Sequence, residues 1–129
     1  MDGISLEEAL FFEQRSNALQ LYASLREQIL EHCGPASIQV KKTQISFVNR
    51  HLFAAVSFTP VRKAKDRPNP YITVTFGLAH QVTSPRIDSA VEAYPNRWTH
   101  HVMLGTTSEI DKELLFWLRE AADFSNCKR

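Results

Sequence analysis

Cysteine is scarce in this chain, and long apolar runs are missing. Two cysteines, Cys33 and Cys127, stand among 129 residues, too few for a disulfide framework and spaced unlike a metal-ligand motif. No uninterrupted apolar stretch approaches the roughly 20 residues that a membrane-spanning helix needs. The first residues, MDGISLEE, are acidic and lead into no apolar segment, so we expect no signal peptide. The simplest interpretation is a reduced, cytoplasmic protein with no membrane segment.

Sequence signatures of catalysis are also absent. The chain has four glycines, and none belongs to a phosphate-binding loop or a nucleophile elbow. The carboxylates show no paired spacing. Cys33 follows a predicted helix, whose C-terminal dipole raises a thiol pKa rather than lowering it, so we interpret it as a small capping residue. We therefore predict no catalytic residue, no metal and no cofactor.

Composition favours one folded domain. The chain is 43% hydrophobic and 22% charged, which is typical of a soluble globular protein, and its length suits a single domain. We predict one domain over residues 1–129, with residues 1–15 as a candidate for a loosely attached N-terminal helix.

Helices are predicted at both ends of the chain. Ser5 and Glu8 have the spacing of a capping box, which predicts a short first helix. A longer helix follows from about Ser16, with an apolar stripe at helical spacing, and Gly34-Pro35 ends it. Near the C-terminus, Thr107-Ser108 is predicted to cap a closing helix.

Strands occupy the middle of the chain. Tyr71–Leu78 shows the clearest apolar and polar alternation, and Asn49-Arg50 predicts a tight turn with a left-handed asparagine. Strands grouped between helices indicate an α+β fold, with a single antiparallel sheet of about five strands and the N-terminal and C-terminal helices packed on one face. We expect function on the other face. The predicted strands are 37–42, 44–48, 52–58, 71–78 and 98–104, with a short edge strand at 90–94.

Four segments of the chain form a recognisable pattern. They are Lys42-Thr43-x-Ile45-x-Phe47, Phe53-Ala54-x-Val56, Arg97–Val102, and Glu109-Ile110-Asp111 leading into Leu118 and Ala121. Together they resemble a small bacterial family that is catalogued only as a domain of unknown function. The resemblance spans about residues 16–125 and implies a compact α+β domain without an assigned catalytic residue. Relatives of that family are sometimes loosely labelled predicted transport proteins or are found fused to restriction-type nucleases.

Charge is distributed unevenly along the chain. Residues 1–34 carry six acids and two bases, whereas residues 35–107 carry nine bases and three acids. Clustered bases exchange counterions for phosphate contacts, so the pattern predicts a non-enzymatic binding or interaction module with a basic sheet surface. Nucleic acid or a phosphate ligand is one alternative. The net charge of +1 also allows the bases to be solvated and partly matched by the acidic helices. The candidate ligand-binding residues are Lys41, Lys42, Arg97, Trp98, His100 and His101.

A second alternative is a small-molecule or metal pocket around Arg97–His101. Strand alternation places Trp98 and His100 on one face and His101 on the other, so the two histidines cannot chelate one ion together. We expect His100 to be half-buried and to have a structural role.

A third hypothesis is a protein partner or a homodimer that contacts the outward face of the sheet. Large apolar side chains predicted to point outward would then form the interface. These side chains are Val48, Leu52 and Met103.

Overall fold

The alternating segment near the middle of the chain forms a central strand of a six-stranded antiparallel sheet. The computed structural model describes residues 3–128. The predicted α+β fold is confirmed, with six strands rather than about five, because the predicted edge segment pairs along its length with the last strand. The strand order is β1-β2-β3-β4-β6-β5. The strands are β1 (Ser37–Val40), β2 (Gln44–Val48), β3 (Leu52–Ser57), β4 (Ile72–Leu78), β5 (Ser89–Tyr94) and β6 (Arg97–Leu104).

Three α-helices flank the sheet in sequence: α1 (Leu6–Phe11), α2 (Leu19–His32) and α3 (Lys112–Cys127). The predicted capping box of α1 is present, and α2 ends just before Gly34, whose φ of 83° suits a residue without a Cβ. Of the helices in residues 3–128, none combines the length and apolarity needed to cross a membrane. Short 3₁₀ segments occur at Glu13–Ala18, Ala64–Asp66 and Thr107–Glu109.

The predicted start of the closing helix is wrong. Thr107–Glu109 forms a separate 3₁₀ turn that Thr106 caps, and α3 begins later, with Asp111 as its N-cap. The Asp111 side chain accepts a hydrogen bond from the Leu114 amide at 3.0 Å. Thr106 therefore caps the 3₁₀ turn, and Asp111 caps α3.

The inward face of the sheet and the helices form one hydrophobic core. Phe76 lies at its centre, with ring centroids 5.1 Å from His100 and 6.0 Å from Trp117. This stack joins β4, β6 and α3. Residues from β4 and α3 that are 1% exposed or less include Ile72, Val74, Phe76, Leu78, Leu114, Leu118 and Ala121.

The opposite face of the sheet, called the outer face below, is made of small and polar residues. One row of paired residues crosses all six strands on this face, and it contains no large apolar side chain. Its buried Ala55 lies outside the hydrophobic core. The row is Gln39, Ser46, Ala55, Thr75, His101 and Ser89.

The turn between β2 and β3 differs from its prediction. Within residues 3–128 the one non-glycine residue with positive φ is Asn96, in the β5–β6 turn, and Asn49 is not left-handed. The Asn49 side chain instead donates to the Ala122 carbonyl at 3.0 Å and accepts from the Ser125 hydroxyl. A bulge after Phe47 shapes this turn, and Asn49 ties it to α3.

The connection between β3 and β4 folds over one end of the outer face. Thr73 donates to the Thr59 carbonyl at 2.6 Å, and Arg62 forms an ion pair of 2.8 Å with Asp88. Arg62 also reaches the Met103 carbonyl at 3.5 Å. Met103 is therefore 1% exposed, and its predicted place in an exposed interface is wrong.

A buried carboxylate attaches α1 to α2. Glu8 is 2% exposed and accepts hydrogen bonds from the Tyr22 hydroxyl and from Arg26 Nε, the latter at 2.8 Å. Burial raises the pKa of Glu8, but these hydrogen bonds and that of the Ser5 amide outweigh burial, so the pKa lies below its usual value. The ionised form of Glu8 therefore stabilises the fold.

We expect Glu8→Gln to reduce the free energy of unfolding by about 1–3 kcal/mol at pH 7, because hydrogen bonds to a charged group are lost. A depressed pKa contributes stability above the unfolded value of about 4.3, and this contribution disappears as the pH falls through the folded value. The difference between the variant and the wild type should therefore shrink in acid. Urea unfolding followed by circular dichroism at neutral and acidic pH measures it. Glu7→Gln, in the same turn but exposed, is the control. An equal loss at both pH values contradicts the assignment.

Candidate anion-binding site

The adjacent histidines of β6 lie on opposite faces of the sheet, as their alternation predicts. His100 points inward and is fully buried, not half-buried as expected, because Phe76 stacks on its ring. Its Nε2 accepts a hydrogen bond from the Val82 amide at 3.0 Å, so the neutral ring carries its proton on Nδ1. That Nδ1 has no partner in the part of the chain that the structure describes.

His101 lies on the outer face, where it is half-buried. Its Nδ1 is 2.8 Å from the Thr75 hydroxyl of the neighbouring strand. Burial lowers the pKa of His101, and Asp88 opposes this shift. His101 is thus favoured as a neutral hydrogen-bonding group.

Arg97 and Trp98 also diverge. Trp98 is paired with inward Leu78, whereas Arg97 lies on the outer face and its guanidinium covers Gly77. A Cβ at position 77 would displace that guanidinium, so the glycine leaves room for the present position of the Arg97 side chain. Arg97 also donates to the Thr99 hydroxyl, so its cation is held against the sheet.

Lys41 and Lys42 lie far from this group, in the turn between β1 and β2. Counted along the sheet, Lys42 is separated from Arg97 by about 14 Å across the strands and about 20 Å along them, at roughly 4.8 Å per strand and 3.4 Å per residue. The structure therefore brings Arg97 and His101 to one face, and places Trp98 and His100 on the other face and the lysines at the opposite end. Binding by these six residues remains a prediction, but they do not line one pocket.

The positive charge gathers at one end of the sheet, called the basic end. Strands β1 to β6 themselves contain one arginine and no lysine, so the outer face is not a basic surface. The β1–β2 turn, the connection 58–71 and the segment Glu13–Ala18 meet at the end where β2 and β4 begin. The basic end consists of Arg15, Lys41, Lys42, Arg62, Lys63, Lys65 and Arg67.

Acids at the basic end are fewer than bases. The same segments contain Glu13 and Asp66, and Asp88 pairs with Arg62. Within residues 3–128 the other six bases of this group form no ion pair. The acidic segment after β6 starts at this same end of the sheet, since Leu104 pairs with Ile72, but its Asp111 and Glu113 neutralise Arg86, which is outside this group, at 2.7 and 3.1 Å. The expected matching of bases by acidic helices therefore applies to Arg86 but not to the basic end.

Phe58 is the residue that joins the segments of the basic end. Its ring stacks on Phe11 at a centroid distance of 5.5 Å and meets Phe12 and Tyr71 edge-on. The Arg15 guanidinium lies 4.5 Å from the Phe58 centroid and 5.5 Å from that of Tyr71. The aromatic cluster thus fixes a cation beside the β3–β4 connection.

A cleft of about 410 Å³ opens between the segment Glu13–Ala18 and the β3–β4 connection. Two arginines line it, Arg15 and Arg67, and no acidic side chain does. Arg67 Nε donates to the Arg62 carbonyl at 2.8 Å, which holds Arg67 in place. The remaining lining residues are Gln14, Asn17, Ala18, Ala64, Pro68, Asn69, Pro70 and Tyr71.

A second groove, of about 420 Å³, lies on the other side of Phe58. Lys42 lines it together with Leu10, Phe11 and Thr43. Lys42 is thus the one predicted ligand residue that the described chain places beside a concave surface of the basic end. This groove is lined about equally by polar and apolar surface and has a cation at its edge.

Arg15 is the functional candidate that sequence reasoning missed. It lies in the acidic N-terminal third, outside the basic stretch, and nothing in its neighbourhood marks it. Its position depends on non-helical backbone angles, φ −142° and ψ 54°, which interrupt the segment Glu13–Ala18, and on stacking with residues more than forty positions away. Only a pattern that paired Arg15 with Phe58 and Tyr71 would have found it.

Other chemistry receives no support from the described residues. No group of three or more His, Cys, Asp or Glu side chains in residues 3–128 is arranged to hold a metal ion. Cys33 is buried at the C-cap of α2, and burial raises the pKa of its thiol to about 11. It is thus a packed residue, as its place at a helix end predicts, and not an activated nucleophile.

Comparison with known proteins gives one match. The family model described as "Domain of unknown function (DUF5655)" matches residues 7–125, in agreement with the resemblance found in the sequence. No curated protein and no solved structure matches the chain significantly. The transport label and the nuclease fusions remain predictions.

The histidines should titrate in a distinct order. Burial lowers the pKa of His100 and of His101, whereas the hydrogen bond to Glu120 raises the pKa of His80 above 6.5. We expect side-chain NMR to show His80 protonating before His100 and His101 on acidification, with His100 neutral and Nδ1-protonated below pH 6.5. Because unfolded histidines bind protons near 6.5, His100 and His101 should reduce stability as the pH falls below that value. His80→Gln identifies the early resonance. A His100 that titrates with His80 contradicts its burial.

Proposed function

This chain belongs to the DUF5655 family, and we propose that it is a non-enzymatic module that binds a compact, phosphate-bearing ligand at its basic end. The observation that carries the proposal is the gathering of bases from three separate segments onto one end of the sheet. Six of them have no carboxylate partner within residues 3–128. Unpaired cations held close together make a site for an anion.

The concave shape of the basic end supports a ligand rather than a merely solvated surface. Two concave surfaces of about 410 and 420 Å³ open at the basic end, within the size range of small-molecule sites. Arginine supplies the planar, multiply donating cation that phosphate recognition favours. Lysines at the rim add long-range attraction that depends on salt.

The arrangement suits a compact ligand better than an extended nucleic acid. A single strand usually follows a basic groove and stacks its bases on open aromatic rings. Here the Phe58 ring is covered by Phe11 on one side and contacted by Arg15, and Arg97 is the one arginine or lysine that the strands contribute to the outer face beyond it. Nucleic acid is therefore the alternative that the binding experiment must separate.

We expect inorganic phosphate, AMP or glucose 6-phosphate to raise the melting temperature, because a ligand of the native state stabilises it by mass action. The double variant Lys42→Glu/Lys65→Glu should weaken binding roughly tenfold, at about 1.4 kcal/mol for two surface charges. Thermal shift and calorimetry at low ionic strength measure these effects.

The control is Arg50→Glu/Arg119→Glu, which makes the same change of net charge at exposed positions outside the basic end. It should bind like the wild type. If no phosphate compound binds, the proposed function is wrong. If a labelled oligonucleotide binds in fluorescence anisotropy but the small phosphates do not, the nucleic-acid alternative replaces it.

A further inference from the structure

We propose that the cleft between the segment Glu13–Ala18 and the β3–β4 connection is a site for a phosphomonoester carried on a hydroxylated ring, with Arg15 and Arg67 as the phosphate ligands. This inference rests on the proposed function and specifies its site. It starts from the two guanidiniums that line a cavity of about 410 Å³ without an acidic neighbour in the lining.

The aromatic contacts of Arg15 leave its N–H groups without a carboxylate partner among residues 3–128. Its guanidinium lies 4.5 Å from the Phe58 centroid and 5.5 Å from the Tyr71 centroid. Aromatic contacts engage the planar face of a guanidinium, and its N–H groups point outward in the plane. A bidentate contact to phosphate uses those N–H groups. The Arg15 side chain is therefore already in position before the anion binds.

Arg67 is held differently, at one nitrogen. Its Nε donates to the Arg62 carbonyl at 2.8 Å, and the Nη groups carry no hydrogen bond to a carboxylate among the described residues. The two ends of the β3–β4 connection are joined by the Tyr71 hydroxyl, which donates to the Phe58 carbonyl at 2.8 Å. The two sides of the cleft are thus tied to one aromatic residue, Phe58.

The rest of the lining indicates what carries the phosphate. Three amide side chains, Gln14, Asn17 and Asn69, offer both donors and acceptors, which suits hydroxyl groups better than an aliphatic chain. Alanine and proline side chains add flat apolar surface. The volume exceeds what phosphate alone needs and falls at the small end of ligand sites. A sugar phosphate or a nucleoside monophosphate shares this chemistry.

A wider groove of about 640 Å³ beside α2 does not compete for this ligand. Its lining includes Glu27 and Glu31, and its Arg26 is already bound to the buried Glu8. An anion there would meet acidic side chains and a neutralised cation. The cleft beside Arg15 is therefore the better match for phosphate.

Calorimetry tests the proposal with AMP, glucose 6-phosphate, inorganic phosphate, and the phosphate-free adenosine and glucose. We expect a phosphorylated ring compound to bind more tightly than inorganic phosphate and its phosphate-free counterpart not to bind. The comparison of AMP with glucose 6-phosphate separates a nucleotide from a sugar phosphate. Arg15→Ala should weaken binding roughly 10- to 100-fold, the equivalent of charge-assisted hydrogen bonds lost.

Two further variants keep the test independent of folding. Arg15→Lys retains the charge but loses the planar fork, and it should not restore full affinity. Asn17→Asp changes almost no volume and places a negative charge in the lining, so it should weaken binding about tenfold or more. Asn126→Asp, an exposed asparagine of α3, is the matched control and should bind like the wild type. Circular dichroism verifies that each variant is folded.

The outcomes distinguish this site from the broader function. If phosphate compounds bind but Arg15→Ala and Asn17→Asp leave the affinity unchanged, while Lys42→Glu/Lys65→Glu reduces it, the basic end binds phosphate elsewhere and this inference is wrong. If inorganic phosphate binds as tightly as the ring compounds, the ligand class is wrong. If none of the phosphate compounds binds, the proposed function itself fails.

Discussion

The packing of Phe58 is the contact on which the functional end of this protein depends. Phe58 follows directly after β3, and its ring meets Phe11, Phe12 and Tyr71. These contacts draw the N-terminal segments and the β3–β4 connection to the same end of the sheet. Without them Arg15 and Arg67 would belong to separate surface segments. With them, Arg15 of the acidic N-terminal segment and Arg67 of the basic middle segment line one cleft. A hydrophobic interaction therefore organises a polar site.

The two faces of the sheet divide structural and surface roles. Inward residues join the helices in a core centred on the stack of His100, Phe76 and Trp117. The outer face carries small and polar side chains, which cost little when exposed and offer little apolar area for a partner. Its charge is low, because the bases lie in turns and connections, where long charged side chains remain hydrated. Charge and shape coincide at the end of the sheet, and the proposed ligand site lies there.

Much of the fold follows from local pattern. The alternation in β4 predicted a central strand, Ser5 and Glu8 predicted the first helix cap, and the order of elements predicted the α+β class. Errors arose where two local signals compete or where tertiary packing decides. Thr106 and Asp111 each begin a turn, so the start of α3 was placed too early. Met103 obeys the alternation, yet a connection 30 or more residues earlier in the chain covers it, and no short-range pattern contains that information.

Three properties of this protein follow from local sequence pattern: the strand and helix types, the divergence of His100 and His101, and the surplus of bases between residues 35 and 107. Side-chain period and capping chemistry are local properties, and local properties can be read along a chain. Which bases lie close together depends on the three-dimensional fold. It separated Lys42 from Arg97 along the length of the sheet, and it brought Arg15, from an acidic segment, beside Arg67. Proximity between distant segments comes from long-range packing, and here that packing is the contact of the partly buried Phe58 ring with Phe11, Phe12 and Tyr71.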